Sequence, residues 1–280
     1  MITKKGLEAE LENLFSLTGM VEAYQEIAAE RIRKTRNSVL KSRSYLSEIN
    51  TIFQQVKSSY KNDLEKLSKK GSFIEKNGKT LSVFISANTG LYGDIVQKTF
   101  DLFLSEIKDQ KTEAVIIGKL GLILFEKEKL NTPYTYFDLP DQNIDSKALR
   151  EIAVFLLKYQ KIRVFYSQFQ SIIKQEPAAS DISGNLIEEE SKEVIKYLFE
   201  PSLEEILTFF ESEIFSSLFE QTVRDTQLAK FGSRLITLTQ ATENIKKRLK
   251  NVTIEKERIR HSDNNKKQLQ TLLSMRLWRA

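Results

Sequence analysis

The stretch PSLEEILTFFESEIFSSL, residues 201–218, predicts the start of a long C-terminal helix. Ser202 is a suitable N-cap, and Glu205, three residues later, completes a capping box with it. Apolar residues then recur at near-heptad spacing, at Ile206, Phe210, Ile214, Leu218, Leu228, Leu235, Leu238, Ile245, Leu249, Val252 and Ile259. A sustained repeat of this kind is typical of a left-handed coiled-coil seam, so we expect one long helix that has a partner helix.

The distribution of proline and glycine leaves both ends of the 280-residue chain free to form such helices. All four prolines lie between residues 133 and 201, and outside 71–201 the glycines are Gly6, Gly19 and Gly232. Proline breaks a helix because it lacks an N–H donor and clashes with the preceding turn. The positions of proline therefore separate two helical ends from a different middle segment.

The N-terminal segment carries a matching apolar repeat. It runs through Leu7, Leu11, Leu14, Val21, Ala28, Ile32, Val39, Leu46, Ile49, Phe53, Val56 and Tyr60, with polar interruptions at Thr18, Gln25, Thr35 and Ser42. Two helices of this kind at opposite ends of one chain can pair, each covering the apolar stripe of the other. We expect them to form a long antiparallel coiled coil.

The middle segment alternates strand and helix patterns. Strands are predicted over 80–86, 114–117, 122–125, 162–166 and 195–199, helices over 95–107 and 146–157, and a polar loop over 177–185. Strands that alternate with helices of this length indicate βαβ units and a mainly parallel, Rossmann-like sheet. The expected division is an N-terminal helix over 1–70, an α/β domain over 71–201 and a C-terminal helix over 202–280.

The composition excludes several kinds of chemistry. The chain has no cysteine and one histidine, His261, so it offers no thiol nucleophile and no multi-histidine metal site. GxxxxGK[ST], GxGxxG and GxSxG motifs are all missing, which argues against an enzyme. No apolar run is long enough to cross a membrane, and the N-terminus predicts no signal peptide. We therefore predict no catalytic residues, cofactor or metal.

Some features allow two interpretations. Gly90 and Gly93, after the first strand, fit either a tight strand-to-helix turn or a turn whose N–H groups bind an anion. The basic residues between 246 and 260 fit either a solvated coiled-coil face or a positively charged helix surface that rotates inside a surrounding acidic protein surface. The net charge of +5 is too small and too mixed to indicate nucleic acid binding.

The residues before the long helix carry a recognisable pattern. Residues 197–201 read YLFEP, so that an aromatic residue, Glu and Pro end a strand candidate. This pattern resembles the gamma subunits of F-type ATP synthases. In the same register Arg234 matches the Arg of that family's Ala-Arg-Met segment, and residues 241–244, ATEN, match its Ala-Thr-Asp-Asn. Arg260 and His261 then match its Arg-Gln pair.

Similar segments extend over nearly the whole chain. They are IAAERIR at 27–33, the turn ISANTGLYG at 85–93, IIGKLG at 116–121 and YSQF at 166–169. The chain also departs from the family pattern. Acidic residues replace a lysine-rich stretch at 20–26, Ala87-Asn88 replaces Asp-Arg, and the tail ends with LLSMRLW rather than with small residues.

The resemblance implies the rotating central stalk of a rotary ATP synthase or ATPase, which couples ion flow through a membrane ring to ATP synthesis or hydrolysis. It implies alpha and beta subunits, an epsilon subunit and the c-ring as partners, no nucleic acid, and peripheral attachment to the cytoplasmic face of the cell membrane through those partners. The alternatives are a gamma-like shaft of a specialised ATPase that does not make ATP and a non-enzymatic coiled-coil adaptor.

The predicted contacts between rotor and stator are of two kinds. Arg260 and His261 are expected to make polar contacts with loops of the catalytic subunits. Met275, Leu277 and Trp278 suit an apolar bearing, in which they turn without specific bonds. Two further residues are candidates for this contact surface, Arg234, which matches a family position, and Tyr24.

Overall fold

The computed structural model describes residues 4–59, 74, 76–108, 112–182 and 202–277. Two long helices lie at the ends of the chain, α1 over Lys4–Ser59 and α5 over Leu203–Leu277. The Oγ of Ser202 accepts a hydrogen bond from the N–H of Glu205 at 3.3 Å, as expected of the predicted N-cap. Both predicted terminal helices are therefore present.

A five-stranded sheet lies between these helices in the sequence. Its strands are β1 (Thr80–Ile85), β2 (Glu113–Ile117), β3 (Tyr134–Phe137), β4 (Lys161–Phe169) and β5 (Gln175–Asp181), and the spatial order is β3-β2-β1-β4-β5. The first four strands are parallel, and β5 runs antiparallel to β4 at the edge. The remaining helices are α2 (Ile95–Ile107), α3 (Lys119–Lys127) and α4 (Ser146–Leu156). This architecture confirms the predicted mainly parallel α/β fold.

The two faces of the sheet are covered by different helices because side chains alternate along β1. Phe84 points to one face, where it packs with Phe100 and Phe103 of α2 and Phe125 of α3. The opposite face holds a core of Leu81, Val83, Ile85, Val115, Ile117, Leu149, Ile152, Leu156, Phe215, Phe219 and Val223. The last three belong to α5, so the long helix is part of the core of the sheet.

The chain forms two compact units. One comprises Glu30–Arg234 and includes the sheet, and the other combines the described residues up to Ala29 with those from Leu235 onward. The predicted domain limits, after residues 70 and 201, fall on residues outside the described ranges. That three-part division stays a prediction.

Two assignments in the middle segment were wrong. Residues 122–125, predicted as a strand, lie within helix α3, because a short apolar run does not distinguish a strand from a buried helix turn. Residues 177–181, predicted as loop, belong to β5. Pro177 is tolerated there because β5 is an edge strand. On the outer side of such a strand, a residue without an N–H does not remove a hydrogen bond between strands.

Other boundaries differ less. Strand β3 was not predicted, since its four residues are partly exposed and carry no clear alternation. The helix predicted over 146–157 ends at Leu156. The last predicted strand, residues 195–199, lies outside the described residues.

Gly118 joins β2 to α3 in a backbone conformation that favours glycine, with a φ of 101°. A Cβ at this position would lie 2.9 Å from the backbone nitrogen of Ala87. We expect Gly118→Ala to lower the free energy of unfolding by about 1–3 kcal/mol from backbone strain alone, with the steric clash adding to this. Thermal and denaturant unfolding measure the effect.

The matched control is Gly90→Ala, because a Cβ at Gly90 has no neighbour within 4 Å. We expect a change within about 0.5 kcal/mol for that variant. Equal effects at the two glycines would show that the approach of Gly118 to Ala87 does not constrain this turn.

Candidate functional site

The two long helices pair within the Glu30–Arg234 unit. Phe53 of α1 and Phe210 of α5 are in ring contact, with centroids 5.7 Å apart. Around them Ile49, Phe53, Val56, Leu207 and Ile214 form an apolar core. Nearer the start of α1, Arg43 is paired with Asp225 at 3.3 Å. Residue numbers rise along α5 as they fall along α1, so the pairing is antiparallel.

The other unit shows the same pairing by itself. Gln25 donates to Thr239 at 3.1 Å, Glu10 is 2.7 Å from Arg248, and Glu8 is 3.4 Å from Lys256. These ion pairs are solvent-exposed and contribute little to stability, but they report the register. In both units the predicted antiparallel coiled coil is present.

The paired helices leave large apolar side chains uncovered in the unit that contains both chain ends. On α1 these are Phe15, Leu17, Met20, Tyr24 and Ile27. On α5 every described side chain from Arg260 to Met275 is exposed, including Leu269, Leu272, Leu273 and Met275. Clusters of exposed apolar side chains mark surfaces that other proteins cover.

Five of the seven predicted contact residues lie on this surface or at its C-terminal limit. Tyr24, Arg260, His261 and Met275 are exposed. Leu277 ends α5, and its side chain lies outside the described residues, as does the whole of Trp278. Their role as contacts stays a prediction.

Arg234 has different surroundings. It is 8% exposed, its guanidinium donates to the carbonyl of Gly90 at 2.7 Å, and it stacks 4.1 Å above the ring of Tyr92. The structure thus engages this side chain inside its own chain, at the turn after β1. Among the predicted contact residues, Arg234 points to a second site, which lies inside the sheet unit.

A buried ion pair forms the centre of that site. The Nζ of Lys230 lies 2.6 Å from Oδ1 of Asp141 and donates also to the carbonyl of Ser86 at 2.9 Å. The side chains of Lys230 and Asp141 are only 6% and 3% exposed. Oδ2 of Asp141 accepts from the N–H groups of Asn88 and Thr89, at 3.0 and 2.8 Å.

This arrangement explains the turn after β1. Its N–H groups do bind an anion, as one interpretation of the sequence proposed, but the anion is a carboxylate of the same chain. In open α/β sheets, ligands bind beyond the carboxyl ends of the strands where the strand order reverses, which here is between β1 and β4. Side chains of α5 and Asp141 fill this position at the end of β1.

The electrostatics favour an ionised carboxylate. Burial by itself raises the pKa of Asp141, but the charge and hydrogen bond of Lys230, together with the hydrogen bonds from Thr89, outweigh it and hold the pKa below its usual value. Burial also raises the pKa of the nearby Tyr92 hydroxyl to about 12, so this phenol stays protonated. Burial lowers the pKa of Lys230, and the charge and hydrogen bond of Asp141 oppose that shift. The geometry places the ammonium of Lys230 against the Asp141 carboxylate, with Arg234 close enough to act on Lys230 by its charge.

The sequence did not predict this ion pair, because the two partners are 89 positions apart. One signal was available. Lys230 lies in the short run Leu228-Ala229-Lys230-Phe231, whose other three residues are apolar. A lysine that is buried in such a run requires a partner.

Among the described residues, no group of three or more His, Cys, Asp or Glu side chains could hold a metal ion. Within the same part of the chain, no helix is long and apolar enough to span a membrane.

Comparison with known proteins identifies the family, because the model of the ATP synthase family matches residues 3–263. The chain belongs to this family. Among curated members it is similar to the ATP synthase gamma chain of Mycoplasma capricolum, at 26% identity over 250 residues, 85% of this chain and 86% of the relative. The gamma chain of Mesoplasma florum is 25% identical over 270 residues, 94% of each chain. These findings confirm the resemblance read from the sequence.

Solved structures of the ATP synthase family share the fold. A chain from the central stalk and c-ring of the Tetrahymena thermophila mitochondrial ATP synthase has a TM-score of 0.58 at 15% identity, covering 79% of this chain and 99% of that one. A chain from the Euglena gracilis mitochondrial enzyme has a TM-score of 0.52 at 15% identity, covering 88% and 94%. At this identity the likeness describes the fold alone.

Proposed function

We propose that this chain is the central-stalk gamma subunit of a rotary F-type ATP synthase or ATPase. The observation that carries the proposal is the antiparallel pairing of two long terminal helices, in a chain that matches the ATP synthase family over residues 3–263. The similar gamma chains align over most of their own length, which supports the same role for the whole chain.

In this role the chain has no catalytic site of its own. The paired helices act as a stiff, asymmetric shaft that presents different side chains to each catalytic subunit in turn. Different contacts stabilise different conformations of those subunits, so rotation and nucleotide binding shift the same equilibria. The activity belongs to the complex, in which the shaft couples ion flow through a membrane ring to ATP synthesis or hydrolysis.

The proposed partners are the alpha and beta subunits around the paired helices, and an epsilon subunit and the c-ring at the α/β unit. The solved neighbour from Tetrahymena thermophila, described as central stalk and c-ring, supports this assignment. The chain would then be a peripheral subunit at the cytoplasmic face of the cell membrane, held there through its partners. Residues 260–275 of α5, exposed throughout, supply the surface that the catalytic subunits cover.

Coexpression with the alpha and beta chains of the same cell tests the proposal. We expect a stable complex that contains one copy of this chain and hydrolyses ATP several-fold faster than alpha and beta without it. A variant that ends at residue 259 is the control, since it lacks the exposed end of α5 and keeps the helix pairing seen at Glu8 and Lys256. We expect it to assemble and to support less ATP hydrolysis.

A different result would favour the coiled-coil adaptor. In that case the chain would form a homodimer that neither binds the alpha and beta chains nor changes their ATP hydrolysis.

A further inference from the structure

The contacts between α5 and the sheet unit are of two kinds. Phe215, Phe219 and Val223 pack against the apolar core, and such contacts are non-directional. They resist separation of the helix from the sheet more than they resist sliding or turning of the helix. Further along α5, four side chains instead make directed hydrogen bonds to loops that follow β1 and β3.

We call the side chains of Gln227, Lys230, Ser233 and Arg234, together with that of Asp141, the helix clamp. Gln227 donates to the carbonyl of Asp141 at 2.9 Å, and Lys230 binds the carboxylate of Asp141 and the carbonyl of Ser86. Ser233 donates to the carbonyl of Tyr92 at 2.7 Å, and Arg234 to that of Gly90 at 2.7 Å. The acceptors include four backbone carbonyls, so the bonds hold α5 to the chain itself.

Because the side chains of the helix clamp are buried, water cannot easily replace their hydrogen bonds. Lys230, Gln227, Ser233, Arg234 and Asp141 are each less than 10% exposed. A buried ion pair that loses one partner leaves an uncompensated charge, which is strongly unfavourable. A rotation of α5 against the sheet would separate Lys230 from Asp141 and would break the hydrogen bonds to the four backbone carbonyls at the same time.

We infer that the helix clamp, with Asp141 and Lys230 as its positioning residues, passes torque between α5 and the sheet unit. The inference rests on the proposed function, because only a rotating shaft has to carry torque across this contact. The helix receives torque from the catalytic subunits, and the sheet unit delivers it to the parts that rotate with it. The apolar core keeps the two together, and the clamp keeps them in register.

The binding site of the Asp141 carboxylate allows a specific test. It is built from the N–H groups of Asn88 and Thr89, the hydroxyl of Thr89 and the ammonium of Lys230. In an Asp141→Ala variant these donors remain, with a space of about one carboxylate between them. Formate carries the same charged group and is small enough to occupy this binding site in the variant.

The experiment measures torque in single assembled complexes with alpha and beta chains. Because the chain has no cysteine, Ile173→Cys introduces one unique attachment point for a bead on the sheet unit, at a side chain that is 85% exposed. For Asp141→Ala we expect the bead to be driven with less than about half of the parent torque, while ATP hydrolysis stays within about twofold. Formate is expected to restore the torque.

The control is Arg150→Ala, which removes a 3.3 Å contact between α4 and Glu213 of α5 whose arginine is 68% exposed. It should leave the torque unchanged. Asp141→Asn, which keeps the size and one acceptor of the side chain, serves as a milder variant if Asp141→Ala does not fold, and it should give an intermediate torque.

The outcomes separate the two claims. If the parent chain neither assembles nor rotates, the proposed function fails. If the parent rotates and both Asp141 variants keep full torque, the helix clamp does not carry torque and the inference is overturned. A loss of torque accompanied by an equal loss of ATP hydrolysis, without recovery in formate, also overturns it, because that result describes general structural damage.

Discussion

Replacing Lys230 with methionine is expected to lower the free energy of unfolding of the Glu30–Arg234 unit by about 3–5 kcal/mol. Methionine fills a similar volume but leaves the buried carboxylate of Asp141 without its cation, which lies 2.6 Å away in the parent chain. It also removes the donor to the carbonyl of Ser86. Denaturant unfolding followed by circular dichroism measures the change.

The same substitution at an exposed ion pair is the control. Lys79 lies 2.7 Å from Glu113 but is 59% exposed, so Lys79→Met should cost less than about 1 kcal/mol. If the two variants lose equal stability, burial does not set the importance of the Lys230 pair.

Acid provides a second check on Lys230→Met. Because the folded chain holds the pKa of Asp141 below its usual value, the pair contributes stability that is present above about pH 4 and is lost as the pH falls through the lowered pKa. The difference in the free energy of unfolding between the parent and Lys230→Met should therefore become smaller in acid. Thr89 and Tyr92 contact the same carboxylate and are present in both proteins, as is Arg234, which donates to the hydroxyl of Thr89.

Phe103→Ala is the second substitution with a large expected effect, a loss of about 3–5 kcal/mol. Phe103 is fully buried on α2 and contacts four other rings, those of Phe84, Phe100, Phe125 and Phe165, at centroid distances of 5.2 to 6.2 Å. Alanine would leave a cavity between α2, α3 and the sheet, which these side chains cannot collapse to fill. Thermal and denaturant unfolding measure the loss.

Phe209→Ala is the matched control, because Phe209 is 57% exposed and contacts only the ring of Phe210 among the described aromatic pairs. Its loss should cost less than about 1 kcal/mol. If Phe103→Ala also cost less than about 1 kcal/mol, the ring cluster would be loosely packed.

Much of the architecture could be predicted from the sequence. The long helices follow from apolar repeats and from the confinement of proline to 133–201, since these signals act over a few turns of one helix. Strands β1, β2 and β4 were recognised because they are short apolar runs with β-branched residues. The predictions were wrong or incomplete at α3, β3 and β5, where burial and position in the sheet outweigh local preference.

The candidate site was predictable only in part. Arg260 was found by resemblance and Met275 as an apolar residue of the tail, and both side chains are exposed. Their role as contacts stays a prediction. Arg234 was singled out by the same resemblance, but its guanidinium binds the turn after β1. No local pattern indicated the partner of Lys230.

By itself the sequence determined that both ends of the chain are helical, that the middle is an α/β unit, and that the chain resembles a gamma subunit. Periodicity, proline and motif spacing are local, and they need no knowledge of distant contacts. Only the tertiary structure decided that Lys230 meets Asp141 where an open α/β sheet usually binds a ligand. A buried charge depends on its partner in space, and here the fold brings that partner from a distant loop.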